Sequence, residues 1–191
     1  TFCGYEGLQQ QATILALYKQ GTLVHQIEMG DEAIIVLDQT PFYAESGGQV
    51  GDCGEVSSAD SLFTVNDTQK IQAGVFGHHG QLQQGRLTTG TKISAKVNAA
   101  TRTSTANNHS ATHLLHAALR KILGTHVTQK GSLVNAGRLR FDFSHNAPLT
   151  HDEIRDIERM VNDQIRMNSI VSAASMTYDD AIKCGAMALF G

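Results

Sequence analysis

Five glycines punctuate short apolar segments in the first half of the chain, and this spacing restricts what that half can fold into. The segments are runs of apolar and β-branched residues, such as 33–37, 62–65 and 93–97. The glycines between them are Gly21, Gly30, Gly54, Gly85 and Gly90. Short runs of this composition, separated by turn residues, are typical of β-strands. We therefore predict a glycine-rich β-barrel over residues 1–97.

The second half of the chain shows helical periodicity instead. A helix is predicted over residues 99–123, with Asn98 as its N-terminal cap and Gly124 as its C-terminal stop. Its apolar stripe consists of Leu115, Leu119, Ile122 and Leu123.

Two strands are predicted next, over 126–135 and 138–143. Thr150 and Glu153 then form a capping box that opens a second helix. The predicted buried face of this helix consists of Ile154, Ile157, Met160, Val161 and Ile165.

A strand at 170–177 and a short helix from 178 are predicted to complete this half. The expected fold class is thus α+β. An N-terminal β-barrel, residues 1–97, is followed by a two-layer α/β subdomain, residues 98–191.

His109 and His113 are four residues apart in the predicted helix. At that spacing two imidazoles lie on one face, about 6 Å apart along the axis, which is near enough to bind one metal ion. Histidines at this spacing also occur where they only satisfy local hydrogen bonds. Zinc needs four ligands, or three and a water molecule. His116 is a conceivable third ligand but is expected to pack on the helix surface. Cys184 and His145 are conceivable ligands through the fold, but no local pattern supports them in that role.

The charged residues are segregated along the chain. Residues 68–141 contain no Asp or Glu, so the net charge of −3 hides a basic central stretch around the histidine pair. Such a stretch attracts polyanions, and RNA is the obvious candidate. The ten basic residues are Lys70, Arg86, Lys92, Lys96, Arg102, Arg120, Lys121, Lys130, Arg138 and Arg140.

Length and composition exclude several classes of protein. The 191 residues, 41% of them hydrophobic, suffice for one sizeable domain or two small ones. No segment approaches the roughly 20 apolar residues of a membrane span, and the start lacks a signal peptide, so we expect a cytoplasmic chain with no membrane partner. Cys3, Cys53 and Cys184 are widely spaced and are expected to be free thiols. The start at Thr1 and the apolar end at 186–191 predict a piece of a longer protein.

The loop at 41–52 contains three glycines within five residues, Gly47, Gly48 and Gly51. Glycine permits backbone conformations and close approaches that other residues do not. Two interpretations remain open: a tight turn of the barrel, or a loop whose backbone approaches a nucleotide or an aminoacyl group.

A polar segment at 124–132 follows the histidine helix. It is either a solvated strand face or a functional surface. In the second case Gln129 would supply an amide that orients a carbonyl or a water molecule, and Lys130 a cation for phosphate. No pattern indicates a covalent mechanism, so water is the expected nucleophile of any reaction.

Several motifs, all in order, resemble the editing domain of bacterial alanyl-tRNA synthetase. They are E-S-G-G-Q-V-G-D at 45–52, N-H-S-A-T-H-L-L-H at 108–116, Q-K-G-S-L-V at 129–134, R-F-D-F-S-H at 140–145 and K-C-G-A-M-A-L-F-G at 183–191. The resemblance spans nearly the whole chain. Related editing domains occur in free-standing Ala-tRNA deacylases and, more distantly, in threonyl-tRNA synthetase.

The resemblance implies that residues 98–191 are an editing subdomain. Its implied activity is hydrolysis of Ser-tRNA(Ala) and Gly-tRNA(Ala), by zinc-assisted attack of water on the aminoacyl ester. The implied partners are the acceptor end of tRNA(Ala) and the other domains of a parent synthetase, which would also bind ATP.

The resemblance also implies roles for single residues. His109 and His113 match the first two zinc ligands of the family, and Gln129 matches a residue near the scissile ester. Gly47 and Gly48 match the loop that faces the adenosine end. The residues expected to bind RNA are Lys130, Arg138 and Arg140.

Two departures from the family pattern matter. The remaining zinc ligands of the family lie in a C-x-x-x-H segment downstream of the A-L-F-G run, which ends here at Gly191. These ligands are therefore expected beyond Gly191, and the Zn2+ site is expected to be incomplete in this C-terminally truncated chain. We expect weak or absent zinc binding and weak or no activity of the fragment alone. Segment 101–105 also carries fewer arginines than the corresponding segment of relatives usually does, which predicts weaker RNA binding there.

Three other interpretations stay open. The chain could be a noncatalytic tRNA-binding module, in which the histidines merely cap or pack the helix. It could be a fragment of a free-standing deacylase. It could also be a structural spacer between synthetase domains, with no RNA binding beyond that of a basic patch.

Overall fold

The computed structural model describes residues 1–171, 174 and 176–185, which divide into two units. The first unit comprises Thr1–Ala106 and Asn135–Gly137. The second comprises Asn107–Val134 and the described residues after Gly137. Within the described ranges, no helix combines the length and apolar character that crossing a membrane requires.

The first unit is built on antiparallel strands, and six of them close into a barrel. Pairing runs in the order β1, β4, β7, β6, β5, β9, and β9 pairs back onto β1. Strand β2 pairs antiparallel with the last three residues of β1, and β3 pairs with β8 as a separate ribbon. The strands are β1 (Gln9–Lys19), β2 (Thr22–Val24), β3 (Gln26–Glu28), β4 (Glu32–Leu37), β5 (Gly54–Ser57), β6 (Leu62–Gln72), β7 (Val75–Gln84), β8 (Arg86–Thr88) and β9 (Lys92–Val97). The predicted barrel is confirmed.

Apolar side chains from every barrel strand meet in one core. Each large side chain that is fully buried contributes roughly 1.5–3 kcal/mol relative to exposure. The largest of them in this core are Phe42, Phe63, Ile14, Leu17, Ile27, Ile35, Leu82, Leu87 and Ile93. Gly21, Gly30, Gly85 and Gly90 adopt positive φ between strands, as the turn prediction requires.

The second unit combines helices with a two-stranded hairpin, so the mixed α+β class is confirmed. Its elements are α1 (Ala99–Leu123), which begins in the first unit, β10 (Gln129–Val134), β11 (Leu139–Phe143), α2 (His151–Met167) and α3 (Tyr178–Lys183). Helix α1 has the predicted bounds, and the Asn98 side chain accepts a hydrogen bond from the Thr101 backbone at 3.0 Å. The capping box of Thr150 and Glu153 is also confirmed.

A smaller core holds the helices and the hairpin of the second unit together. The buried residues in it are Ala118 and Leu119 of α1, Val127 in the loop before β10, and Ile157 of α2. The ring of Phe141 on β11 packs against the same cluster.

Three sequence predictions in this unit were wrong in detail. Strand 126–135 is shorter, because residues 126–128 form a turn and loop before β10. Ile154 and Ile165 are 40% and 52% exposed, because they lie in the first and last turns of α2, while Ile157 in its middle is buried. The residues described within 170–177, namely 170, 171, 174, 176 and 177, form no strand.

A buried ion pair in the first unit ties the 41–52 loop to the start of α1. The Arg102 Nε atom lies 2.9 Å from both carboxylate oxygens of Asp52, and its Nη2 atom donates to the same carboxylate. Arg102 also donates to the carbonyls of Gly4 at 3.2 Å and Pro41 at 2.8 Å. The Asp52 carboxylate in turn accepts the backbone N–H of Tyr43 at 2.6 Å. The two side chains are only 14% and 4% exposed.

A second buried polar group sits in the barrel wall. His78 on β7 is fully buried, with Nδ1 2.8 Å from the carbonyl of Ile35 and Nε2 2.7 Å from the hydroxyl of Thr40. A carbonyl only accepts, so Nδ1 carries the proton and Nε2 accepts from the hydroxyl. Burial lowers the pKa of His78 to about 4, so the ring stays neutral near pH 7.

We predict that His78 makes the stability of the barrel depend on pH. The unfolded ring has a pKa near 6.5 and the folded one about 4, so the unfolded state binds more protons between those values. This contribution to stability is fully present above pH 6.5 and is lost as the pH falls towards 4. It amounts to about 3 kcal/mol, since one pKa unit corresponds to about 1.4 kcal/mol. Urea unfolding at several pH values measures it.

His78→Gln is expected to flatten the dependence of unfolding free energy on pH between about 6.5 and 5, above the range in which unfolded carboxylates titrate. His25→Gln, at an exposed histidine, is the matched control and should keep the wild-type slope. An unchanged slope in His78→Gln would show that the buried ring does not cause it.

We also predict that Arg102→Ala destabilises the first unit by about 3–5 kcal/mol, because it leaves the buried Asp52 carboxylate without its counter-charge. The matched control is Arg86→Ala, which breaks an exposed pair with Glu28 (61% and 51% exposed) and should cost less than about 1 kcal/mol. Unfolding free energies in urea compare the two. Equal losses would mean that the ion pair does not stabilise the loop.

Candidate functional site

His109 and His113 contact each other on α1. Their ring centroids are 5.0 Å apart and the ring planes differ by 15°. One helical turn separates the two residues, which explains the nearly parallel rings. The Thr112 hydroxyl, which precedes His113, donates to the Asn108 carbonyl at 2.8 Å. Its proton is therefore used by the helix backbone and not by the histidine rings.

The surroundings of His109 favour its neutral form. Partial burial, and then the adjacent His113, lower the pKa of His109. A neutral imidazole has a free lone pair and can bind a metal ion, whereas an imidazolium cannot. His109 can therefore supply a nitrogen donor at neutral pH.

Two donors alone do not complete a zinc site. Among residues 1–171, 174 and 176–185, no three His, Cys, Asp or Glu side chains lie close enough to hold a metal ion. His116, the conceivable third ligand, packs its ring against Phe141 at a centroid distance of 5.0 Å. Its Nε2 atom is buried and has no hydrogen-bond partner. The imidazole pair suits zinc chemically, but the described residues provide only half of a tetrahedral ligand set.

The other half of the zinc site was predicted beyond Gly191. Gly191 itself, with the A-L-F-G run that it ends, lies outside the described residues, so the structure does not test where those ligands are. Cys184, the last cysteine of the chain, is described as an exposed free thiol. The expectation that the remaining ligands follow Gly191 therefore stays a prediction.

Gln129 and Lys130 begin strand β10. Gln129 pairs with Phe143 across the hairpin and is half-buried, whereas Lys130 is exposed. The register shifts between Gln129 and Gly131, which is typical of a β-bulge. A bulge re-aims the side chains beside it, and bulges are frequent next to active sites.

Arg138 and Arg140 lie on the other arm of the hairpin, and both are exposed. Arg140 Nε is 3.1 Å from Asp142 Oδ2, so this arginine is paired within its own strand. Arg86 pairs with Glu28 and Arg102 with Asp52. Acids from outside residues 68–141 thus neutralise three of the basic residues inside it, and the positive field is weaker than the sequence alone indicates.

The 41–52 loop turns at Gly47 and Gly48, which have φ of 60° and 83°. Ser46 and Gln49 exchange both backbone hydrogen bonds across them, at 3.1 and 3.0 Å. Two consecutive residues with positive φ inside such a pair form a tight two-residue turn, for which glycine is favoured. The turn interpretation therefore accounts for both glycines, and any contact with a nucleotide remains a prediction.

The predicted site residues are distributed over both units. The first unit contains Gly47 and Gly48, and the second contains His109, His113, Gln129, Lys130, Arg138 and Arg140. The structure brings His109 and His113 into direct contact. Sequence reasoning missed the pairing of Asp52 with Arg102, because no pattern links residues fifty positions apart.

Comparison with known proteins places the chain in a family. Residues 1–101 match the family model described as tRNA synthetases class II (A). The chain is 66% identical over 190 residues to an alanine–tRNA ligase from Nitrosomonas europaea, in an alignment that covers 100% of this chain and 22% of the relative. Alanine–tRNA ligases from Nitrosospira multiformis and Burkholderia mallei are 59% and 56% identical, with the same coverage.

The chain thus spans about a fifth of the length of these relatives, 22%. Its resemblance to alanyl-tRNA synthetase, predicted from the motifs, is confirmed by similarity over the whole chain. With the family model matching residues 1–101, these similarities show that the chain belongs to the class II (A) tRNA synthetases.

Proposed function

We propose that this chain is the editing domain of an alanine–tRNA ligase and that it hydrolyses Ser-tRNA(Ala) and Gly-tRNA(Ala). The observation that carries the proposal is the pair of adjacent, nearly parallel imidazoles of His109 and His113 on α1. Membership of the synthetase family and similarity to alanine–tRNA ligases support it.

A second hydrolytic site answers a physical limit of amino-acid selection. A pocket sized for alanine cannot strongly reject glycine, which is smaller, or serine, which adds one hydroxyl. Differences of this size are worth only about 1–3 kcal/mol, or roughly 10- to 200-fold. A separate site that cleaves the wrong products raises fidelity beyond this limit.

The reaction proposed is ester hydrolysis with water as the nucleophile. The water oxygen forms a bond to the aminoacyl carbonyl carbon, the bond from that carbon to the ribose oxygen breaks, and the departing ribose oxygen receives a proton from the water to become a hydroxyl. The Gln129 amide can donate to the carbonyl or accept from the water. Lys130, Arg138 and Arg140 are proposed to bind the RNA backbone, with Gly47 and Gly48 facing the terminal adenosine.

His109 and His113 are proposed as two nitrogen ligands of Zn2+, with the remaining ligands supplied from beyond Gly191. When bound, zinc supplies a Lewis acid that polarises a carbonyl or lowers the pKa of a bound water. The proposed partners are the acceptor end of tRNA(Ala) and the other domains of a parent synthetase in the cytoplasm.

The proposal predicts selective release of serine. The test protein is the Nitrosomonas europaea alanine–tRNA ligase in which the segment matching this chain is replaced by it, since the two are 66% identical. We expect deacylation of Ser-tRNA(Ala) but not of Ala-tRNA(Ala). The double variant His109→Ala, His113→Ala should lose at least 100-fold in rate, about 2.7 kcal/mol of transition-state stabilisation.

Charging of tRNA(Ala) with alanine is measured on each variant and should be unchanged, which shows that the chimaera is folded. His25→Ala is the matched histidine control and should deacylate like the wild type. Undiminished serine release in the double variant would refute the catalytic assignment. Normal charging of tRNA(Ala) without serine release in the unmutated chimaera would also contradict the catalytic assignment.

The basic hairpin residues predict how RNA binding depends on salt. Each phosphate contact that is lost reduces the slope of log affinity against log salt by about one. Lys130→Ala and Arg138→Ala are therefore each expected to lower the slope measured by fluorescence anisotropy with tRNA(Ala). Arg155→Ala, on α2 and paired with Asp152, is the control and should leave it unchanged. Equal slopes for all three variants would place the RNA elsewhere.

A further inference from the structure

A second histidine pair lies at the base of the β10–β11 hairpin. His126 precedes β10 and His145 follows β11. Nε2 of His126 is 3.0 Å from Nδ1 of His145. We propose that His126 and His145 form a binding site for one divalent transition-metal ion, separate from the His109 and His113 pair.

The separation of the nitrogens suits a shared metal ion. Two imidazole nitrogens bound to one ion at about 2.0–2.1 Å, at an angle of roughly 90–110°, are about 2.9–3.4 Å apart. Imidazole is a good ligand for nickel, copper and zinc. The two side chains meet this distance without any movement of the hairpin arms.

The two rings are hydrogen-bonded to each other. Their centroids are 5.2 Å apart and their planes differ by 22°, with one ring donating to the other. To bind an ion, both rings must rotate until their lone pairs converge, and the donor ring must move its proton to its other nitrogen. His126 is exposed, so its ring has room to rotate, and water can complete the coordination.

Hydrogen bonds between the hairpin arms hold the pair in place. The Ser144 hydroxyl donates to the His126 carbonyl at 3.2 Å and accepts the backbone N–H of Thr128 at 3.1 Å. The Ser144 backbone N–H donates to the Thr128 carbonyl at 3.0 Å. These contacts do not involve the imidazoles, so the arms are fixed before any ion binds. Such preorganisation lowers the cost of binding.

The two imidazoles are the protein ligands of the proposed site. No third ligand is assigned from the described part of the chain, in which no cluster of three ligating side chains occurs. The site is expected to bind more weakly than a four-ligand zinc site.

Binding of Ni2+ to the chain of 191 residues tests the proposal. The background carries His109→Ala and His113→Ala, which removes the other imidazole pair, and isothermal titration measures the stoichiometry. We expect one ion per chain. Either His126→Ala or His145→Ala in this background should weaken binding at least tenfold, while His25→Ala should not. Ni2+ should also raise the thermal midpoint of the background protein and of His25→Ala, but not of the two site variants.

His145→Asn keeps a hydrogen-bonding side chain at the base of the hairpin but removes the imidazole, so it separates loss of ligation from loss of folding. Circular dichroism confirms that each variant is folded. Binding lost in folded His145→Asn supports the site. Absence of Ni2+ binding in the background, or binding that persists when both His126 and His145 are replaced, overturns it. Serine release plays no part in this test, so failure of the metal-site proposal is distinguishable from failure of the proposed editing function.

Discussion

The buried ion pair of Arg102 and Asp52 organises much of the first unit. One guanidinium reaches the Asp52 carboxylate and the carbonyls of Gly4 and Pro41, so the N-terminal segment and both ends of the 41–52 loop converge on a single side chain. Only arginine has several donors in a rigid planar fork suited to such convergence, and lysine would leave carbonyls unsatisfied. The tight turn at Gly47 and Gly48 lies within the loop that this pair holds.

Five histidines of the described chain lie in three different structural settings. His78 is sealed in the barrel wall between two hydrogen-bond partners and acts as a neutral structural group. His109 and His113 lie on one helix face with their rings adjacent. His126 and His145 are joined across two hairpin arms rather than along one helix. Only the helical pair has a spacing that sequence alone can recognise.

Ion pairs in the folded chain neutralise part of the positive charge that the sequence shows in residues 68–141. The stretch from 68 to 141 has no acid, yet Arg86, Arg102 and Arg140 each pair with an acid from outside it. Arg102 is thereby removed from any RNA-binding surface, since its charge is buried and neutralised. The exposed cations of the hairpin remain the better candidates for phosphate contacts.

Local patterns in the sequence were sufficient to predict the barrel, the bounds of α1, the capping box of Thr150 and the adjacency of His109 and His113. These features depend on periodicity and on residues a few positions apart, so neighbouring residues determine them. The motifs likewise sufficed to identify the synthetase family. Tertiary structure alone decided the partner of Arg102, the neutral state of His78, the exposure of Ile154 and Ile165, and the meeting of His126 with His145. Each of these depends on which distant segments pack together, and one chain carries no local signal of that.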